Sequence, residues 1–515
     1  MNDFPWLTLL GVLPLVGAGV TLALPRKNPD AAKIAALVTS LVVLAMTIVI
    51  AVRFDANDRF QFTESHSWIP QFGVRYAIGL DGIALVLVGL TAVLMPVVVL
   101  ASWHEAEGGR RSVPTFFALL LTLETAMIGV FAATDVFLFY VFFEAMLIPM
   151  YFLIGSYGGV RRQYAAVKFL LYSLFGGLLM LAAVIGLFVL SSQQGGGTFD
   201  FNRLVALDIS PGVQRLLFLG FFIAFAIKAP LFPFHTWLPD AGAEAPIGGA
   251  VLLVGVLDKV GTFGFLRYCL PLFPDASREF GPYILALCVI GILYGALLAM
   301  GQNDLKRLVS YTSVAHFGFI ALGIFAFTSQ GGSGAVLYMV NHGLSTGALF
   351  LIVGFLIARR RTRLISAYGG VASSAPWLAG TFLVAGLSAL ALPGLSTFVS
   401  EFLVLVGTFT RYPAYAVLAT CGIVLAAIYV LLMYQRTMHG PVAEPNVGLR
   451  DLSLREGFVI APVLVLIIAL GVYPKPVLDV ITPSIDRTLR QAQQTDPKPP
   501  VPAPAAVPEH SYVGK

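Results

Sequence analysis

The sequence predicts an all-α polytopic membrane protein of about fourteen transmembrane helices in two halves, each with one broken helix. Three observations lead there. The 515 residues are 58% hydrophobic and only 11% charged, against about 25% charged in soluble domains. Apolar runs of spanning length, at roughly 20 residues per helix, recur along the whole chain. Two of these runs are interrupted by helix-breaking residues beside ionisable ones: Lys228 precedes Pro230 and Pro233, and Pro393 with Gly394 precedes Glu401.

Taken in order, the runs lie near 4–24, 33–52, 82–101, 115–132, 136–155, 165–190, 214–238, 246–270, 281–300, 305–327, 334–358, 376–410, 414–436 and 456–474. The first begins acidic, MNDF, and no small-residue cleavage site follows it, so it is expected to stay as an anchor. In the seventh, the prolines predict two half-helices across Leu219 to Trp237 joined by unwound backbone. Such backbone is tolerated at membrane depth only where it is buried in protein or lines a wet cavity. The twelfth run, 376–410, is too long for one span, and ALPGLSTFVSEF at its middle predicts a second break. Corresponding breaks in two halves are the pattern of inverted-repeat transporters.

Charge sets sidedness. Net charge is +5, and the basic residues fall in short clusters between apolar runs, which fits membrane orientation and implies no nucleic-acid partner. Arg26 and Lys27, Arg110 and Arg111, Arg161 and Arg162, Lys306 and Arg307, Arg359 to Arg363, and Arg450 with Arg455 occupy alternate connections. That side is expected to be cytoplasmic, with both termini outside. The Gly-rich loop from Gln193, the mixed-charge segment Arg53 to Asp81 and a Pro/Ala-rich tail from Gln494 fall on the other side, the tail reading as disordered. Cys269, Cys288 and Cys421 stand singly, without metal-site spacing, and are expected to be small core residues.

The chemistry rests on ionisable residues inside the spans: Glu144, Lys228, Lys259, His316, His342 and Glu401, each on a different run. They can meet only across helix interfaces, as a chain of proton-holding groups through the interior. Burial and pairing with a carboxylate act on a lysine in opposite senses, by several pK units each. A lysine that alternately meets and leaves a carboxylate therefore changes proton affinity by more than the ~2.3 kcal/mol that a proton gains per 100 mV. Lys228 and Glu144 are the expected pair.

Each residue also has a plainer reading. Glu144 and Lys228 can act as a fastener between helices. Lys259 can pair with adjacent Asp258 or snorkel. His316 and His342 can be satisfied interhelical hydrogen-bonders. Asp135 and Glu124, read as near span ends, are expected to be structural. Asp304, Lys306 and Arg307 read as a helix cap and orientation signal. His235, just after Pro233, is a candidate relay.

The segments VFFEAMLIPMYFLIG, KFLLYSLFGGLLMLAA, AFAIKAPLFPFHTWLPDAGAEAP, NDLKRLVSYTSVAHFGF and PGLSTFVSEF resemble the M-type antiporter-like subunits of bacterial NADH:quinone oxidoreductase, respiratory complex I. The resemblance runs over nearly the whole chain up to the tail. Glu401, where close relatives usually have lysine, and the absence of a long lateral helix after the fourteenth run favour the M type. The resemblance implies two inverted five-helix repeats, dividing the chain into N-terminal helices (1–110), a first repeat (111–275), a second (276–440), a last helix (441–480) and a tail (481–515). It implies that Glu144 pairs with Lys228, that Lys259 lies on a central polar axis, that His316 and His342 connect the halves, and that Glu401 leads outward. It further implies a bacterial inner-membrane proton-translocating subunit with no redox cofactor, catalytic site or metal of its own. Flavin (FMN), iron–sulfur clusters and quinone would belong to partner subunits, and L- and N-type antiporter-like chains would be its neighbours. No dinucleotide fingerprint is present in the chain.

Two departures from the family pattern stand out. Gly242 occupies a position where relatives commonly have histidine, and Asp258 precedes Lys259 where they usually have an apolar residue. Asp258 can tune Lys259, carry a proton itself, or face another helix. Three other functions compete: a subunit of an Mrp-type cation/proton antiporter, the membrane arm of a membrane-bound hydrogenase, and a structural spacer whose charges only fasten helices.

Overall fold

A computed structural model describes residues 4–25, 27–107 and 111–497. Arg26 and Arg110, expected to mark sidedness, and the tail from residue 498 lie outside these residues. The helices, in chain order, are α1 (Trp6–Ala23), α2 (Pro29–Val52), α3 (Gly82–Ala101), α4 (Val113–Ala132), α5 (Val136–Ala145), α6 (Leu147–Tyr157), α7 (Arg162–Gln193), α8 (Phe201–Val205), α9 (Pro211–Lys228), α10 (Leu238–Glu244) and α11 (Ile247–Leu272). There follow α12 (Pro274–Met300), α13 (Leu305–Phe325), α14 (Ser329–Arg360), α15 (Pro376–Ala389), α16 (Ser396–Phe409), α17 (Pro413–Met438), α18 (Leu454–Val472) and α19 (Lys475–Gln491). Thirteen spans are long and apolar enough to cross a membrane, taking α5 and α6 as one, and the short apolar pair α15 and α16 together makes the interrupted fourteenth.

Two groups of five spans follow one another: α4 to α11, and α12 to α17. In each group the third span is a 32-residue helix, α7 or α14, and the fourth is broken. The groups run in opposite directions. The first starts at the end of the bundle where Arg111, Asp240, Asp304 and Arg363 gather, and the second starts at the other end, where Arg278 donates to the Ala492 carbonyl at 3.0 Å. The core is formed by α11, α13 and α14, whose spanning windows are 89–100% buried, while α1, α2 and α18 are mostly exposed along their flanks.

The first break falls where the two prolines place it. Helix α9 runs on to Lys228, because Pro230 and Pro233 remove donors only beyond that point. The freed Ile227 carbonyl accepts from Trp237 Nε1 at 2.8 Å. In the second break, Leu390 to Leu395 unwind, with Ala391 at φ +60 and Gly394 at φ +93. Within the break the Leu392 amide donates to the Leu387 carbonyl at 3.0 Å and the Leu395 amide to the Leu392 carbonyl at 3.1 Å, and Asn341 Nδ2 from α14 donates to the Ser396 carbonyl at its far edge at 2.6 Å.

Two ordered elements lie where no span was expected. The segment after α2 forms an antiparallel hairpin, β1 (Gln61–Ile69) and β2 (Val74–Leu80), turning at Gly73 with φ +65. Its Glu64 accepts from the Leu7 amide at 2.8 Å and so caps the first turn of α1. Helix α19 runs across residue 480, where the tail was set to begin just after. Ile481, Ser484, Ile485, Thr488 and Leu489 recur at helical spacing and are buried. The start of the tail is also held: Arg411 donates to Gln494 at 2.7 Å, and the Asp496 carboxylate accepts from the Ser329 amide at 2.8 Å.

Candidate functional site

The six candidate residues sit on six different helices: Glu144 on α5, Lys228 on α9, Lys259 on α11, His316 on α13, His342 on α14 and Glu401 on α16. All except Glu144 are buried to 5% exposure or less. Lys228 is the last residue of its half-helix, where the partial negative charge of unpaired carbonyls favours an ammonium. Glu401 lies beyond the first turn of α16, the half-helix that follows the second break.

From Lys259 the polar groups form a line. Helix α11 widens to a π-turn over Leu253–Leu257, where each amide reaches one residue further back and leaves a carbonyl free. Lys259 Nζ donates to the Val254 carbonyl in that turn and lies 2.7 Å from His342 Nδ1. The His342 and His316 rings meet edge to face with centroids 5.2 Å apart. His316 Nε2 is 3.4 Å from the Tyr429 hydroxyl, and its ring lies 6.0 Å from that of Tyr338. The Tyr338 hydroxyl donates to Glu401 Oε2 at 2.8 Å. Sequence reading missed both tyrosines. Tyr338 sits one helical turn before His342, a spacing that places both on one face of α14, whereas Tyr429 on α17 carries no sequence signal.

At the other end the structure corrects three expectations. Glu144 and Lys228 are electrostatic neighbours but form no ion pair. The Lys228 ammonium lies 4.6 Å over the Phe143 ring and has no hydrogen-bond partner among the described residues. Glu144 is half-buried beside Gly177 of α7, whose missing side chain leaves the space the carboxylate occupies. His235 is not brought to the line: it packs against Phe232 and Tyr294, 5.9 and 5.4 Å between ring centroids. Glu124 is not near a span end but halfway along α4, fully buried, with both oxygens lacking a partner among the described residues.

Other expectations find their places. Asp135 caps α5 through the Phe137 and Leu138 amides at 3.0 and 2.9 Å, and Asp304 caps α13 through the Arg307 amide at 3.1 Å. Gly242 packs on Ser310 with no room for a side chain, which is the steric reason for glycine there. Cys269 and Cys288 are buried, but Cys421 faces outward on α17. Among the described residues no group of three or more His, Cys, Asp or Glu is placed to hold a metal ion. At the basic end, a cavity of about 600 Å³ is lined by Glu105, Glu244, Lys306 and Arg363. Lys306, read from sequence as an orientation signal, is buried at its floor and donates to the Ala245 carbonyl.

Residues 133–426 match the family described as NADH:quinone oxidoreductase/Mrp antiporter, TM. The chain is 52% identical to NADH-quinone oxidoreductase subunit M of Mycobacterium tuberculosis (strain H37Rv), covering 98% of each. It is 40% identical to NADH-quinone oxidoreductase subunit M of Rhodobacter capsulatus, covering 93% of this chain and 95% of that one. A chain of respiratory complex I from Thermus thermophilus with bound NADH superposes with a TM-score of 0.86 at 33% identity, covering 94% of this chain and 99% of that one. With both broken helices and the buried Lys–His–His–Tyr–Glu line in place, the chain belongs to the NADH:quinone oxidoreductase/Mrp antiporter transmembrane family.

Proposed function

We propose that this chain is a proton-translocating, non-redox membrane subunit of NADH:quinone oxidoreductase, an M-type subunit. The observation that supports it most is the buried row of proton-holding groups from Lys259 through His342 and His316 to Tyr338 and Glu401, with Tyr429 beside His316. Each member can take up or give up a proton, and each lies beside a like group on a different helix, as a relay requires. The names of the relatives at 40–52% identity support the assignment to the oxidoreductase. On this reading the cavity at Lys306 admits protons from the cytoplasm, both termini lie outside, and lipids cover the exposed apolar flanks. L- and N-type neighbours adjoin the chain. FMN, iron–sulfur clusters and quinone belong to partner subunits. Glu144 and Lys228 change partners during turnover: the Lys228 amine is unpaired when apart from Glu144 and takes its charge-stabilised form when the two meet.

The test is NADH-driven proton uptake by the purified complex in liposomes, followed with a pH-sensitive dye. Glu144→Gln and Lys228→Ala are expected to cut uptake at least tenfold while NADH-dependent dye reduction on a native gel persists. Normal uptake in both variants removes the proton-pump reading and leaves a structural spacer. Sodium-dependent proton exchange without NADH moves the function to the Mrp type.

A further inference from the structure

A gap separates Lys228 from Lys259, where the polar line begins. Lys228 has no hydrogen-bond partner, and Lys259 is turned toward Val254 and His342. Asp258 stands in that gap. It is fully buried, and neither carboxylate oxygen has a donor among the described residues. Its direction follows from packing. Gly261, one turn further along α11, presses directly on the Phe225 carbonyl and on Ala229, the residue after Lys228. Residues three apart share a helix face, so Asp258 is on the side of α11 that meets the end of α9. Lys259, turned by about 100°, faces α14 instead. Both lysines feel the Asp258 charge, and no other group is a strong electrostatic neighbour of both.

We propose that Asp258 is a proton-carrying site that connects Lys228 to Lys259 in this chain; the proposal rests on the proton-pump reading above. In the first step a Lys228 N–H bond breaks and an Asp258 O–H bond forms, turning ammonium and carboxylate into neutral amine and neutral acid. In the second the Asp258 O–H bond breaks and the proton joins a neutral Lys259 amine, giving carboxylate and ammonium. No net charge is created or lost in either step. Burial without donors favours the neutral acid, and the two neighbouring lysines favour the carboxylate, so opposing influences act on the two forms that the carrier must visit.

The experiment uses the intact complex in liposomes, with NADH and quinone. Asp258→Asn keeps the shape but cannot carry a proton; Asp258→Leu keeps the branching and places no polar side chain at the position. Asp258→Glu restores a carboxyl. Proton uptake is expected to fall at least tenfold in the Asn and Leu variants and to stay within about threefold of the parent in the Glu variant, with equal amounts of assembled complex on a native gel. Parental uptake in either the Asn or the Leu variant, with Glu144→Gln still defective, overturns the proposal and leaves the pump reading standing. Parental uptake in Glu144→Gln as well overturns both. Because the Leu variant places no polar side chain at position 258, it decides the matter even where the carboxamide does not assemble.

Discussion

Tyr338 shows how one hydroxyl can matter in a buried line. It is the only donor to Glu401 among the described residues, at 2.8 Å. A hydrogen bond to a charged group contributes about 1.5 to 3 kcal/mol, roughly ten- to a hundredfold in an equilibrium. Tyr338→Phe is therefore expected to lower proton uptake by about tenfold without loss of assembly; uptake in liposomes beside a native gel checks it. Glu124 gives the opposite expectation. It is buried on α4 with no charged partner, so Glu124→Gln, which keeps volume and polarity, should leave uptake within twofold of the parent. A large loss would place Glu124 in the route. The local pattern of the broken helices was legible from Lys228, Pro230 and Pro233, because proline removes a donor wherever it stands. The tyrosines were not legible: whether a hydroxyl meets a carboxylate depends on which helix is its neighbour.

At the scale of elements, α19 acts as a clamp on the end of the central helix away from the basic connections. Asp81, which caps α3 through the Ala84 amide at 3.0 Å, accepts from Arg267 of α11 at 2.7 Å and from Arg487 of α19. Burial pushes the Asp81 carboxyl up, but the two guanidiniums overcome this and hold it below the usual carboxylate range. A lowered folded-state value gives stability that is present above the unfolded value near 3.9 and is lost only as pH falls through the folded one. The clamp should accordingly hold across neutral and mildly acidic pH. Asp81→Ala leaves two arginines buried without their acceptor, and removing one partner of a buried pair costs about 3 to 5 kcal/mol. The expected outcome is a clearly lower thermal midpoint of the purified complex at pH 7, with earlier proteolysis at α19; an unchanged midpoint would show the cluster to be idle. The hairpin and α19 were missed because both are short of spanning length, although Ile481, Ile485 and Leu489 do repeat at the helical period.

Over the whole molecule, the basic connections gather at one end, held by ion pairs such as Lys168 to Asp240 at 2.8 Å and Arg363 to Glu244 at 2.8 Å. The hairpin and α19 occupy the other end. If the basic end is cytoplasmic, a cysteine placed at Asn57 should react with a membrane-impermeant maleimide in intact cells, and one at Thr362 only in inverted vesicles, both in a Cys421→Ala background. The reverse pattern would invert the orientation.

The sequence by itself determined the membrane class, the number and order of the spans, the two breaks and four ionisable residues of the polar line, Lys259, His342, His316 and Glu401. These follow from hydropathy, proline geometry and the cost of burying charge, all of which act locally. Only the tertiary structure decided who meets whom. It parted Glu144 from Lys228, set His235 aside and moved Glu124 into the middle of a helix. It joined Lys259 to His342 and Tyr338 to Glu401, and it turned Asp258 toward Lys228. The physical reason is that neighbouring residues on a helix point about 100° apart. The partner of each is therefore fixed by how α9, α11, α14 and α16 pack together, which no single segment encodes.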